Sequence, residues 1–276
     1  MRTRDIFRKT FGLFVRKPRI LILPLALGIA LAFLDTLLLA PYNPSLHEVI
    51  LQSISYVLGA RSPFINSEVA YALMDLLYFV ISELLGLLMT GTYICIVVQE
   101  RRRQKLSIKS AAEQAGRRYT GLLAANLAAI LILLVSVSIP LLAFSYVISM
   151  LPQGAAVPAV IISAIAIFSI AAIVEIMLFQ VNAANLIGGK DAAGSIYGSI
   201  IVGRSYAKET AILMSMLLLS NIIIIELPAI AAGLIIPSSS GPTAILLGQF
   251  AGLIDSVAMA YFYYLERGSA KRHASS

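Results

Sequence analysis

Residues 119–149 read YTGLLAANLAAILILLVSVSIPLLAFSYVIS, with Gly116-Arg117-Arg118 directly before them. No Asp, Glu, Lys or Arg interrupts the stretch. A helix needs about 20 apolar residues to cross a bilayer core, and this run exceeds that. Five further runs qualify: 20–40, 71–98, 158–187, 210–236 and 243–265. Long continuous runs favour helices, which satisfy their own backbone in lipid, over the short alternating strands of a barrel. The predicted fold is all-α: a polytopic membrane protein, one integral membrane domain over 1–276 with six transmembrane helices.

The composition agrees. Of 276 residues, 59% are hydrophobic and 13% charged, and the mean hydropathy is +0.89. A soluble domain carries roughly 25% charged residues. This chain has too little polar surface to cover a water-facing globule, which excludes a soluble enzyme and a disordered chain. Its one cysteine, Cys95, excludes a disulfide framework or a multi-cysteine metal site and is expected to pack in a span.

The basic residues fix the expected orientation. Seven precede the first span, among them Arg8, Lys9 and Arg16. Arg101, Arg102, Arg103, Lys105, Lys109, Arg117 and Arg118 lie between spans two and three. Lys190, Arg204 and Lys208 lie between spans four and five, and Arg267, Lys271 and Arg272 form the tail. All but Arg61 of the 21 basic residues therefore share one side. By the positive-inside rule both termini are cytoplasmic in a multi-pass cell-membrane protein. The net charge of +7 then reports orientation and attraction to anionic lipid headgroups, not nucleic acid.

A threefold repeat is expected. Gly116-Arg117-Arg118-Tyr119 precedes span three and Gly203-Arg204-Ser205-Tyr206 precedes span five. Pro140 and Pro228 follow at nearly matching depth, and Val15-Arg16-Lys17-Pro18 is a degenerate counterpart before span one. The unit is an amphipathic helix plus a helix pair, over about 1–98, 99–187 and 188–265, with a tail over 266–276. In the first unit Ile6, Phe7, Thr10, Phe11, Phe14 and Val15 share a face, opposite Arg8, Lys9, Gly12 and Arg16, as in a helix lying in the headgroup zone. The corresponding segments 104–118 and 192–206 present mostly Ala and Gly and are expected to pack on protein. Ser45-Leu46-His47-Glu48 is a capping box for a short helix in the outer loop.

Carboxylates inside the spans are the candidate polar site: Glu83, Glu175, Glu226 and Asp255 near the middle, Asp35 and Asp75 further out. No Lys or Arg lies at comparable depth. Intramembrane acids point to an ion or proton pathway or a cationic ligand. The structural alternative is a protonated acid hydrogen-bonded to Ser82, Asn126, Asn182, Asn185, Asn221, Gln249 or Ser256. Pro228 removes a backbone bond beside Glu226. Gly248 and Gly252 form a GxxxG match for close packing of span six, and Tyr261–Tyr264 reads as an interfacial aromatic belt. No His-Glu-x-x-His, Gly-x-Ser-x-Gly, P-loop or Gly-x-Gly-x-x-Gly is present, so no catalytic residue, metal or cofactor is assigned and no enzyme is expected.

The repeated basic segment, Gly-Arg turn and helix pair resemble a broad group of prokaryotic six-span membrane proteins of unknown function. The group is similar to the membrane domain fused to some glycerophosphodiester phosphodiesterases. No phosphodiesterase domain is present, so that activity does not carry over. Ala111-Ala112 followed by Gly116 also resembles the coupling-loop motif through which transporter permease subunits contact an ATPase. It departs from that motif in Ser110, where an acid is expected, and in lacking Ile-x-Leu-Pro around Asn126. The functional expectation is permease-like transport of a small solute or ion through a polar midplane cavity. The alternative is a non-transporting scaffold organising lipid or partner proteins through Arg8, Lys9, Arg16, Arg101, Arg102, Arg103, Arg117 and Arg204.

Overall fold

The computed structural model describes residues 3–39, 67–235 and 240–273. The capping-box segment, Arg61 and the side chain of Asp75 lie outside the described residues. Helix α1 covers Thr3–Arg16, and a 3-10 turn over Pro18–Leu21 leads into α2, Ile22–Leu39. Then follow α3 (Ser67–Arg101), α4 (Ile108–Arg117), α5 (Tyr119–Ser149), α6 (Gln153–Leu178), α7 (Val181–Gly188), α8 (Ala192–Ser205), α9 (Ala207–Asn221), α10 (Leu227–Ile235) and α11 (Ser240–His273). No strand occurs among the described residues. Six stretches are long and apolar enough to cross a membrane: Pro18–Asp35, Leu76–Arg101, Tyr119–Ser149, Gly154–Gly188, Ala207–Ala232 and Gly241–Leu265. The all-helical, six-span architecture is that of a multi-pass membrane protein.

The spans differ in detail from the sequence reading. The second continues to Arg101, because Val97–Gln99 is buried and the charges begin only at its last turn. The fourth is two helices, α6 and α7, broken at Phe179–Gln180. The fifth carries a π turn over Ile222–Glu226. Pro228 has no N–H and its ring crowds the preceding turn; the wider π turn accommodates that, with Leu227 N–H reaching back to the Ile222 carbonyl. Pro140, by contrast, sits inside a continuous α5.

Three short helices each end one residue before a span begins. Lys17 separates α1 from the 3-10 turn, Arg118 separates α4 from α5, and Tyr206 separates α8 from α9. Counted from these breaks, buried positions recur: Thr10, Ala111 and Ser199; Phe14, Ala115 and Gly203; Leu122 and Thr210; Pro24, Ala125 and Leu213. Pro140 and Pro228 then stand at the same distance from the first residue of their spans. Counted by distance from the break, Gly203 stands level with Ala115 and Gly116 level with Arg204.

The chain divides into two compact units. The first comprises residues 1–12, 88–218 and 255–276, the second 13–87 and 219–254. In the first, α5 packs on α6, α7 and α8, and α8 packs on α6 and α7. Residues 91–99 of α3 are buried on every side, including Tyr93, Ile94, Cys95 and Ile96; a helix end buried all round is a core element. Gly91 makes this possible, since a Cβ there would stand 3.1 Å from the Ala115 Cβ and 3.2 Å from Leu122 Cδ2.

In the second unit the tight contact is Gly28 of α2 against α11. A Cβ at Gly28 would lie 2.7 Å from Leu246 Cδ1 and 3.0 Å from the Leu246 Cα. The methyl end can move but the backbone atom cannot. Gly28→Val is expected to lower unfolding free energy by about 2 kcal/mol through overpacking, read as an earlier midpoint in thermal unfolding in detergent. Gly248 and Gly252, the expected packing motif, have nothing within 4 Å of a Cβ position. The close approach to α11 therefore falls at Leu246, and the GxxxG pair does not make it among the described residues.

Candidate functional site

The four candidate acids divide between the units. Glu83 and Glu226 belong to the second, Glu175 and Asp255 to the first. Glu83, Glu175 and Glu226 are exposed on the molecule, each in a membrane-spanning stretch, and none has a hydrogen bond or ion pair among the described residues. Asp255 is half-buried on α11. Five of the seven polar side chains expected to neutralise these acids, Ser82, Asn126, Asn182, Asn185 and Ser256, make hydrogen bonds to other groups. Asn126 Nδ2 donates to Asn182 Oδ1 and to the Leu122 carbonyl. Asn185 Nδ2 donates to the Lys190 carbonyl at 3.0 Å, and Ser82 Oγ to the Phe79 carbonyl at 2.9 Å. Ser256 Oγ reaches Thr90 Oγ1 at 3.4 Å. An ionised carboxylate facing hydrocarbon costs several kcal/mol, about 3 by insertion scales for Asp. Three such groups on spanning helices therefore call for contact with water or a partner surface.

The break in the fourth span is a second polar locus, and the sequence reading missed it. Ser199 Oγ of α8 accepts the Gln180 N–H at 3.0 Å and donates to the Met177 carbonyl at 2.7 Å. One hydroxyl thus satisfies two of the backbone groups that the break releases. Its reach depends on α8 lying close: a Cβ at Gly203 would stand 2.7 Å from both the Ile176 carbonyl oxygen and the Met177 Cα. The signal was the stripe Ser195, Ser199, Gly203 at four-residue spacing, all buried, since small residues let helices approach in a membrane. The Gln180 side chain is fully buried, and neither its Oε1 nor its Nε2 has a partner.

Arg101, Arg102, Arg103, Arg117 and Arg204 are exposed. Arg101 stacks over the Tyr264 ring at 5.8 Å. Tyr261 (2% exposed), Phe262 and Tyr263 are buried, and Tyr261 donates to Glu100, so these residues are interior packing and not the aromatic belt expected. On α1, Ile6, Thr10, Leu13 and Phe14 are buried while Phe11 and Val15 are exposed. The expected single apolar face is thus split, one stripe covered by protein and a second, Phe7, Phe11 and Val15, beside Arg4 and Arg8. Of the coupling-loop match, Ala111 is buried, Ala112 half-buried and Gly116 exposed, and Lys109, Glu113 and Gln114 lie on the exposed face of α4.

Arg118 connects the third span to the fourth. Its Nη1 donates to the carbonyls of Asn185 (3.2 Å) and Leu186 (3.3 Å), at the C-terminus of α7. A cation there is favoured by the helix dipole. The helix ends on Gly189 in the left-handed region (φ 68°), which glycine adopts without strain. Comparison with family models, with curated proteins and with solved structures gives no match.

Proposed function

We propose that this chain is a permease-like integral membrane protein that moves a small solute or ion, with cations favoured. The observation that carries the reading is the set of unpartnered carboxylates, Glu83, Glu175 and Glu226, on membrane-spanning helices. Water along a path would hydrate them where lipid would not. Three tandem units of a short helix, a one-residue break and a helix pair underlie the architecture, supported by the recurring breaks at Lys17, Arg118 and Tyr206. Both termini are cytoplasmic in this reading, with the exposed arginines at the inner headgroups.

The test is flux in proteoliposomes with a pH dye inside and with Na⁺ and K⁺ tracers. Glu83→Gln, Glu175→Gln and Glu226→Gln are each expected to lower flux by roughly tenfold or more while the melting midpoint holds, because amides cannot replace a charge used in conduction. Absence of flux of all three ions in the unmodified protein would remove the cation reading. The second reading, a scaffold acting through its basic face, is supported by the exposed Arg101–Arg103 run. It expects no flux and a dependence on anionic lipid.

A further inference from the structure

We infer that the second apolar stripe of α1, Phe7, Phe11 and Val15 with Arg4 and Arg8, is a docking surface for an anionic lipid leaflet. The inference goes beyond ion movement and does not depend on it; it rests on the place of α1 beside the first span.

That place is the membrane boundary. Helix α1 ends at Arg16 and the first membrane-spanning stretch begins at Pro18, so Lys17 alone separates them. Around the axis of α1, at 3.6 residues per turn, its faces follow in order. Ile6, Thr10, Leu13 and Phe14 are buried by protein. Next come Phe7, Phe11 and Val15, at four-residue intervals. Phe7 is half-buried, and its ring stacks on that of Phe11 with centroids 6.4 Å apart. Phe11 is 47% exposed and Val15 82%. Arg4 stands within this stripe and Arg8 borders it, both exposed. Asp5, Gly12 and Arg16 follow on the far side of Arg8, and a Cβ at Gly12 would meet nothing within 4 Å.

Single apolar side chains on a surface need no explanation. A row of three, bordered by arginines at a membrane boundary, is the pattern of a helix lying in the interface. Beyond Lys17 the first span leaves Ile22, Leu25, Ile29 and Phe33 exposed, at the spacing of one helix face, as lipid contact requires. An arginine stem runs along an apolar surface and carries its guanidinium to the polar layer, where the planar N–H fork matches phosphate oxygens. Protein cover over Ile6, Thr10 and Phe14 also changes the assignment expected from the sequence. Lipid contact falls to Phe11 and Val15, and phosphate contact to Arg4 and Arg8, while Lys9 and Arg16 lie on another side of the helix.

The experiment is tryptophan quenching in the full chain, which contains no tryptophan of its own. Phe11→Trp places one emitter on the stripe, Val15→Trp a second, and Gly12→Trp a control further round, where space is open. Each is reconstituted in phosphatidylcholine vesicles holding an equal fraction of either phosphatidylcholine or phosphatidylglycerol brominated high on the acyl chain. An interfacial stripe sits roughly 5–10 Å into the boundary, so Phe11→Trp and Val15→Trp are expected to be quenched at least about twofold more than Gly12→Trp. Brominated phosphatidylglycerol is expected to quench more than brominated phosphatidylcholine, since a basic residue near an anionic surface favours contact by roughly fivefold. In the Phe11→Trp background, Arg4→Gln with Arg8→Gln should bring the two lipids to parity. Lys9→Gln with Arg16→Gln removes the same charge from the other side and should change the preference less than about twofold. Melting midpoints check the fold of every variant. Equal quenching of the three tryptophans refutes the lipid contact. Quenching that falls as protein is concentrated in the bilayer gives the stripe to a second copy and refutes it too. No preference for phosphatidylglycerol, or an equal loss in the Lys9 and Arg16 variant, refutes the role of Arg4 and Arg8. Ion flux enters none of these outcomes, so the transport reading stands or falls separately.

Discussion

Gly203→Ala is expected to unfold the first unit far more readily than Gly116→Ala, although both glycines open the same Gly-Arg-x-Tyr pattern. At Gly203 the new methyl would stand 2.7 Å from the Ile176 carbonyl oxygen and the Met177 Cα. Both are backbone atoms, so relief requires α8 to move off α6. Overpacking of this kind costs about 3 kcal/mol, and the displacement also draws Ser199 from the break it bridges. At Gly116 nothing lies within 4 Å of the Cβ position. There the only change is helix propensity, a gain of about 1 kcal/mol in an interior position and less near an end. Thermal unfolding in detergent, followed by tryptic cleavage or a thiol probe at Cys95, should therefore show a large fall for one variant and none for the other. Equal responses would mean that the two glycines occupy equivalent places after all, and that the register drawn from the breaks is wrong.

That contrast shows where sequence reading worked. The six apolar stretches were legible because crossing a bilayer demands length and apolarity, and both are local properties of a chain. Helix breaks at Lys17, Arg118 and Tyr206 were nearly legible, since basic residues gather where a span ends. The pairing of Gly116 with Gly203 compared letters, and the structure gives the two different surroundings: Gly203 is buried against α6, whereas Gly116 is exposed with nothing within 4 Å of a Cβ position.

Tertiary placement was the part that local patterns could not supply. Tyr261–Tyr263 has the residue types of an interfacial belt, but the end of α3 continues to Arg101, and Tyr261 is spent on Glu100. The Gly248 and Gly252 pair has the right spacing, yet helix contact is set by which face turns inward, and that contact falls at Leu246. The acids were found by type alone, which gave Glu83, Glu175 and Glu226 but no account of their partners.

Ser199→Ala and Gln180→Met are expected to shift stability in opposite directions, although both replace buried polar groups at one break. Ser199 Oγ is fully used: it accepts the Gln180 N–H and donates to the Met177 carbonyl. Its removal leaves two buried backbone groups unpaired, at about 1–3 kcal/mol for each unsatisfied group. The Gln180 carboxamide is buried with neither atom partnered. Methionine has nearly the same length and no desolvation penalty, so the exchange should be neutral or stabilising by about 1 kcal/mol. A buried polar group with no partner in its own fold calls for an explanation, and contact with a conducted ion is the one that the permease reading supplies. Gln180→Met is then expected to melt no earlier than the unmodified chain and to lower ion flux in the same proteoliposomes. The outcome that defeats this argument is a Gln180→Met protein that melts earlier by as much as Ser199→Ala. That would show the carboxamide is satisfied in solution, by an ordered water bridging it to the surrounding polar groups, and is part of the structural cement of the break.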